Sequence, residues 1–102
     1  MIKLFKLTSG ETIICDCEKN LDDEWVIKRP YTIMVVPQHS GHLGVMLMDF
    51  IFGAKDNYEI TLKNRDIIGS AIDPDLQMLR MWDSKMAELL KKETGIEVIS
   101  RI

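Results

Sequence analysis

Two cysteines, Cys15 and Cys17, and two histidines, His39 and His42, are the residues whose types could hold zinc. Zinc takes four nitrogen or sulfur ligands in a tetrahedron, so the count fits. The spacing does not, because Cys-x-Cys on a strand places both thiols on one face instead of forming a Cys-x-x-Cys knuckle. A mutual disulfide is awkward for the same reason. The four therefore read as reduced, packed thiols and exposed loop histidines, with no metal and no cofactor expected. Cysteine–histidine catalysis would need an orienting third group and an oxyanion site, and nothing marks either. No catalytic residue is assigned, and the chain is not read as an enzyme.

Oxygen and nitrogen chemistry is left. Asp22, Asp23 and Glu24 could face a hard cation, but no calcium-loop pattern follows them, so a solvated acidic turn is expected. Lys28-Arg29 and Lys63-Asn64-Arg65 are the compact basic pieces ahead of the terminal helix. Lysine and arginine can hold phosphate, and asparagine can read a base edge. Lys63, Asn64 and Arg65, with Lys28 and Arg29, are thus the candidate RNA-binding residues. Trp25, Tyr31 and Tyr58 are the aromatic rings on which bases could stack. Asp66, next to Arg65, partly cancels the local field. The net charge of -3 argues against a general nucleic-acid binder, so any RNA contact has to come from a local patch or from many copies of one.

These residues have to be positioned by a small domain. The chain has 102 residues, 46% hydrophobic and 28% charged, which fits one globular unit. Neither a bilayer-spanning apolar run nor a signal-peptide pattern is present, so a cytoplasmic protein with no membrane partner is expected. Ile2 to Leu7 reads as a first strand and Ser9-Gly10 as a tight turn. Thr12 to Glu18 follows, with Ile13, Cys15 and Cys17 expected on the core face and Ile14, Asp16 and Glu18 on the other. Strand character resumes at Trp25 to Lys28 and continues from Tyr31 to Val36, with a bulge or bend expected at Pro30.

Val45 to Phe52 is the most apolar run, with Asp49 its lone charge. An antiparallel strand with one wet face should alternate, and this one does not. Both its faces are expected to meet protein, either the terminal helix or another subunit. Tyr58 to Leu62, a polar turn at 63–66, and Ile67 to Ile72 complete the strands. Asp73 then caps a helix opened by Pro74 and closed near Gly95. Its apolar half carries Leu76, Met78, Leu79, Trp82, Met86, Leu89 and Leu90. The expected division is a β-barrel over 1–72, an amphipathic helix over 73–95, and a tail over 96–102 that could add a short strand.

Leu7-Thr8-Ser9-Gly10 with Thr12-Ile13-Ile14 resembles the turn between the first two strands of Sm-like (LSm) proteins. Glu59 to Ile68 resembles the hairpin joining their last two. Gly10-Glu11-Thr12-Ile13-Ile14, Lys28-Arg29-Pro30 and Asp73-Pro74 are similar to small Sm-like proteins of the marine-phage (cyanophage) type. The resemblance covers about residues 1–72. It implies a mainly β fold: a strongly bent five-stranded antiparallel barrel of the Sm-like (SH3-type) class, here with an added C-terminal α-helix. It also implies a phage-encoded homo-oligomeric ring of about five to seven copies that binds single-stranded RNA. The alternative is a protein-interaction or scaffolding ring without RNA. Three departures stand out: an acidic loop at 20–24 where the family carries an Asp-x-x-x-Asn pattern, Arg65-Asp66 in place of Arg-Gly, and a helix after the barrel instead of before it.

Overall fold

The computed structural model describes residues 1–55 and 57–94. Six strands are present: β1 (Ile2–Leu7), β2 (Thr12–Lys19), β3 (Trp25–Pro37), β4 (Leu43–Asp49), β5 (Glu59–Leu62) and β6 (Ile67–Ile72). A 3-10 turn at Asn64–Asp66 joins β5 to β6, and helix α1 spans Leu76–Thr94. The expected closure of the helix at Gly95 and the tail 96–102 lie outside the described residues.

All pairings are antiparallel, in the order β4-β3-β2-β1-β6, and β5 lies on β3 beside β4. The sheet is mainly β as expected, but it is not closed into a five-stranded barrel. The chain crosses at the 3-10 turn from β5, which pairs with β3, to β6, which pairs with β1. β4 takes the Tyr31–Pro37 half of β3 and β5 takes the Trp25–Lys28 half. The most apolar run ends as a strand at Asp49, short of the expected Phe52.

The bend expected at Pro30 is a bulge within one strand. Asp16 pairs with Lys28 and Ile14 with Tyr31, so Arg29 and Pro30 together face Cys15. Arg29 takes φ 51, a left-handed value that turns the strand. A second irregularity lies in β6, where Gly69 at φ 77 supplies a conformation that a side chain would resist. At the β1–β2 turn, Gly10 has φ 100 and donates its N–H to the Leu7 carbonyl at 2.9 Å.

These bends curl the sheet around a core of Phe5, Leu7, Ile13, Cys15, Cys17, Ile27 and Leu62, against which Ile67 and Ala71 of β6 also pack. Phe5 and Trp25 meet edge to face at 5.4 Å. A second core lies on the outer face under α1, formed by Ile14, Tyr31, Leu47 and Trp82. Ile14 was expected on the wetter face of β2, yet it has no solvent exposure because Trp82 and its neighbours on α1 cover it. Trp82 meets Tyr31 edge to face at 5.9 Å.

The N-cap of α1 is Asp75, not Asp73. The Asp75 carboxylate accepts the Met78 N–H at 2.9 Å, and its carbonyl accepts from Leu79 at 3.0 Å. Asp73 instead forms an ion pair with Lys3. The apolar face of the helix is narrower than its sequence implies. Trp82 is buried and Met78, Met81 and Met86 are partly so, whereas Leu76 and Leu90 are exposed.

Candidate interaction surfaces

The 3-10 turn presents Lys63, Asn64 and Arg65 to solvent. Asp66 holds it in shape: its carboxylate accepts the Lys63 N–H at 2.9 Å, and its carbonyl accepts the Thr8 N–H at 3.0 Å. The acid that looked like a local charge cancellation is therefore a cap that pins the basic turn to the β1–β2 turn. Neither Lys63 nor Arg65 forms an ion pair among the described residues.

The other basic piece stands apart from it. Lys28 faces Glu59 across the β3–β5 ladder at 3.5 Å. It lies at the opposite end of β5 from Lys63, about 13 Å away at 3.4 Å per residue. Arg29 sits in the bulge with its Nε buried and without a hydrogen-bond partner among the described residues. The five candidate RNA residues thus form two separate groups. The aromatic rings do not join them. Tyr31 is buried against Trp82, Trp25 packs on Phe5 beneath Lys19, and the Tyr58 hydroxyl accepts the Ile51 N–H.

The four potential zinc ligands do not converge. Cys15 and Cys17 are buried in the inner core. His39 and His42 are in the β3–β4 loop, seven or more residues along β3 from the Ile13–Thr32 pair, which is roughly 20 Å. Hydrogen bonding to Cys17, and then burial, push the Cys15 thiol well above the ordinary thiol range, so it stays protonated and unreactive. In the acidic loop the Asn20 side-chain oxygen accepts the N–H groups of Asp22 and Glu24 at 3.0 and 2.9 Å. That is a turn organised by asparagine. Among the described residues no group of three or more His, Cys, Asp or Glu is placed to hold a metal.

Two surfaces that residue chemistry did not single out are more unusual. The first is the pair of sheet edges. Among the described residues β6 (Ile-Ile-Gly-Ser-Ala-Ile) pairs with β1 alone, and it contains no charge and no proline. At the other end β4 and β5 pair with β3 alone, and Asp49 is the one charge in β4. Proteins usually blunt free edges with lysine, proline or a cover.

The second is an arm. β3 leaves β2 after Thr32, so Ile33–Pro37 and Leu43–Leu47 pair only with each other. No charged residue occurs from Pro30 to Met48. Met34, Val35, Leu43, Val45, Met46 and Met48 are exposed on this arm, and Ile51 and Phe52 just beyond it. These exposed apolar side chains are divided between the two faces of the arm and the segment just beyond it. Among the described residues the expectation that both faces of this run meet protein holds at Leu47, which α1 covers, and at Phe50, which packs on the inner core, while Val45, Met46, Met48, Ile51 and Phe52 are exposed. A groove of about 460 Å³ between β4 and α1 is floored by Val45, Met46, Leu47 and Met81, with Arg80 and Lys85 among the polar residues on its rim.

No helix among the described residues is long and apolar enough to cross a membrane. No family model matches the chain, and no curated protein sequence matches it.

Proposed function

We propose that the protein is a phage-encoded, self-assembling β-module of the Sm-like type, working in the cytoplasm as a cyclic homo-oligomer. The observation that carries this reading is the pair of sheet edges that no further strand covers among the described residues: the uncharged β6 at one end, and at the other β4 with β5, whose charges are Asp49 and Glu59. Counting β4 and β5, which share one edge of β3, as one strand gives the five strands that the resemblance implies. Two complementary, non-identical edges make a head-to-tail contact, and repeated head-to-tail contacts close into a ring when the rotation allows. β6 of one copy beside β5 of the next would also continue the curled sheet from copy to copy.

Native mass spectrometry tests the assembly. A single closed oligomer is expected, and Ile68→Lys on the β6 edge should weaken it at least tenfold, because an edge lysine opposes strand addition. A monomeric wild type at micromolar concentration would end this reading.

A second step of the proposal is RNA association. It is favoured by the exposed Lys63, Asn64 and Arg65 on a turn held rigid by Asp66. One such turn is weak in an acidic chain, but repetition around a ring raises the effective concentration of the sites. A single-stranded RNA oligonucleotide should bind at low salt and dissociate steeply as salt rises. Lys63→Ala with Arg65→Ala should lower the affinity about tenfold. If no RNA binds an intact oligomer at low salt, the protein-scaffolding ring takes its place.

A further inference from the structure

The edges leave the arm unexplained. Its two faces differ in composition but are equally apolar. Ile33, Val35, Val45 and Leu47 lie on the face toward α1, and Met34, Met46 and Met48 lie on the reverse. A two-stranded ribbon alone in water is marginal, and one wet on two apolar faces is worse. We propose that the arm is a second interface between copies of this chain, in which the methionine face of one arm packs on the valine–leucine face of its neighbour's arm. This rests on the self-assembly reading above.

Two observations select that occupant. From Pro30 to Met48 there is no lysine, arginine, aspartate or glutamate, so the arm strands give a charged partner no ion pair, and a chain of net charge -3 is poorly suited to an anionic lipid surface. The two-sidedness then fixes the symmetry. A two-fold contact would cover one face of each arm and leave the other's exposed side chains wet, Val35 and Val45 on the side that α1 covers in part or Met34, Met46 and Met48 on the reverse. A head-to-tail contact covers both, and it is the same kind of contact that the sheet edges call for. Methionine suits one side of such a joint because its flexible thioether adapts to the branched side chains opposite.

Cysteine cross-linking of the full chain tests this. Val35 and Met46 lie on opposite faces, so cysteines at the two positions cannot bridge within one arm. The native Cys15 and Cys17 are buried, and the unsubstituted protein serves as the control. The double variant Val35→Cys with Met46→Cys should form a ladder of disulfide-linked oligomers under mild oxidation, ending at the ring size, while each single variant stays uncross-linked. Efficient dimerisation of Met46→Cys alone would overturn the head-to-tail packing. Absence of cross-links in an oligomer that native mass spectrometry finds intact would overturn the arm contact and leave the edge contact standing. A monomer in both experiments would remove the two together. Flotation with phosphatidylcholine–phosphatidylglycerol vesicles, lost in Met46→Lys, would assign the arm to a membrane and overturn the proposal. Val35 and Met46 are exposed, so a circular-dichroism melt close to that of the unsubstituted chain is expected for every variant.

Discussion

The two halves of β3 are continuous in the chain and opposite in their surroundings. Trp25–Lys28 is flanked by β2 on one edge and β5 on the other, and its Ile27 has no solvent exposure. Ile33–Pro37 is flanked by β4 alone, and its Val35 is 58% exposed. The first half alternates, with Trp25 and Ile27 turned inward and Lys28 turned outward to Glu59. The second half does not alternate. Alternation in an antiparallel strand reports burial against the same chain on one side and water on the other. An unbroken apolar run that stays exposed reports a surface made for something else.

The largest test of that contrast is a matched pair of truncations. Ile27→Ala removes a fully buried side chain and should cost about 2–5 kcal/mol in urea unfolding. Val35→Ala should change the stability of the dissociated chain by less than about 0.5 kcal/mol. Both belong at a concentration where the oligomer has come apart, because assembly adds its own stability by mass action. Similar losses at the two positions would mean that the arm is as much a part of the monomer's fold as the inner core.

The joint between the halves offers a smaller effect. Arg29 holds φ 51, which a β-branched residue tolerates poorly. Arg29→Val should destabilise by about 1–3 kcal/mol, whereas Arg29→Gly, which adopts this φ freely, should be close to neutral. If the two variants unfold at the same urea concentration, the bend does not depend on the backbone conformation at residue 29. The sharper the difference, the more the change of partners along β3 is set by one residue.

Much of this arrangement could be read from the chain. Cys15 and Cys17 face the core because β2 alternates, and Pro30 announces the bulge because it lacks a ladder donor. Other parts depended on contacts between distant segments. Ile14 shares its face with Asp16 and Glu18, so the local pattern marked it as wet, whereas Trp82 and its neighbours, with Tyr31 and Leu47, bury it. Tyr31 is lost as a stacking surface for the same reason. The candidate basic residues fell into two groups because β5, only four residues long, separates Lys28 from Lys63. The uncharged edge of β6 was visible as Ile67–Ile72 in the sequence. What was not visible was which strand would lie at the edge, since that follows from the pairing order.

The smallest effects come at the start of α1, where two acids two residues apart have different roles. Asp73-Pro74 looks like a cap and a first helical residue, but the helix begins two positions later and Asp75 accepts the free Met78 N–H. Asp75→Ala should cost about 1 kcal/mol, the usual loss for an N-cap carboxylate. Asp73→Ala should cost less than about 0.5 kcal/mol, because its bond to Lys3 is an ion pair with the carboxylate largely in water. The order has a consequence for the comparison along β3. Tyr31, just past the bulge, is buried among Ile14, Leu47 and Trp82 with Lys85 over its ring, and Trp82 is seven residues, or about two turns, into a helix that Asp75 starts. Fraying at Asp75 should therefore expose Tyr31 before it disturbs Ile27. Near-ultraviolet circular dichroism of Asp75→Ala during mild heating can follow the aromatic environments. Early loss of the Tyr31–Trp82 signal, with the Phe5–Trp25 environment retained, is the expected result. Simultaneous loss of both would mean that the helix-covered core and the inner core melt as one.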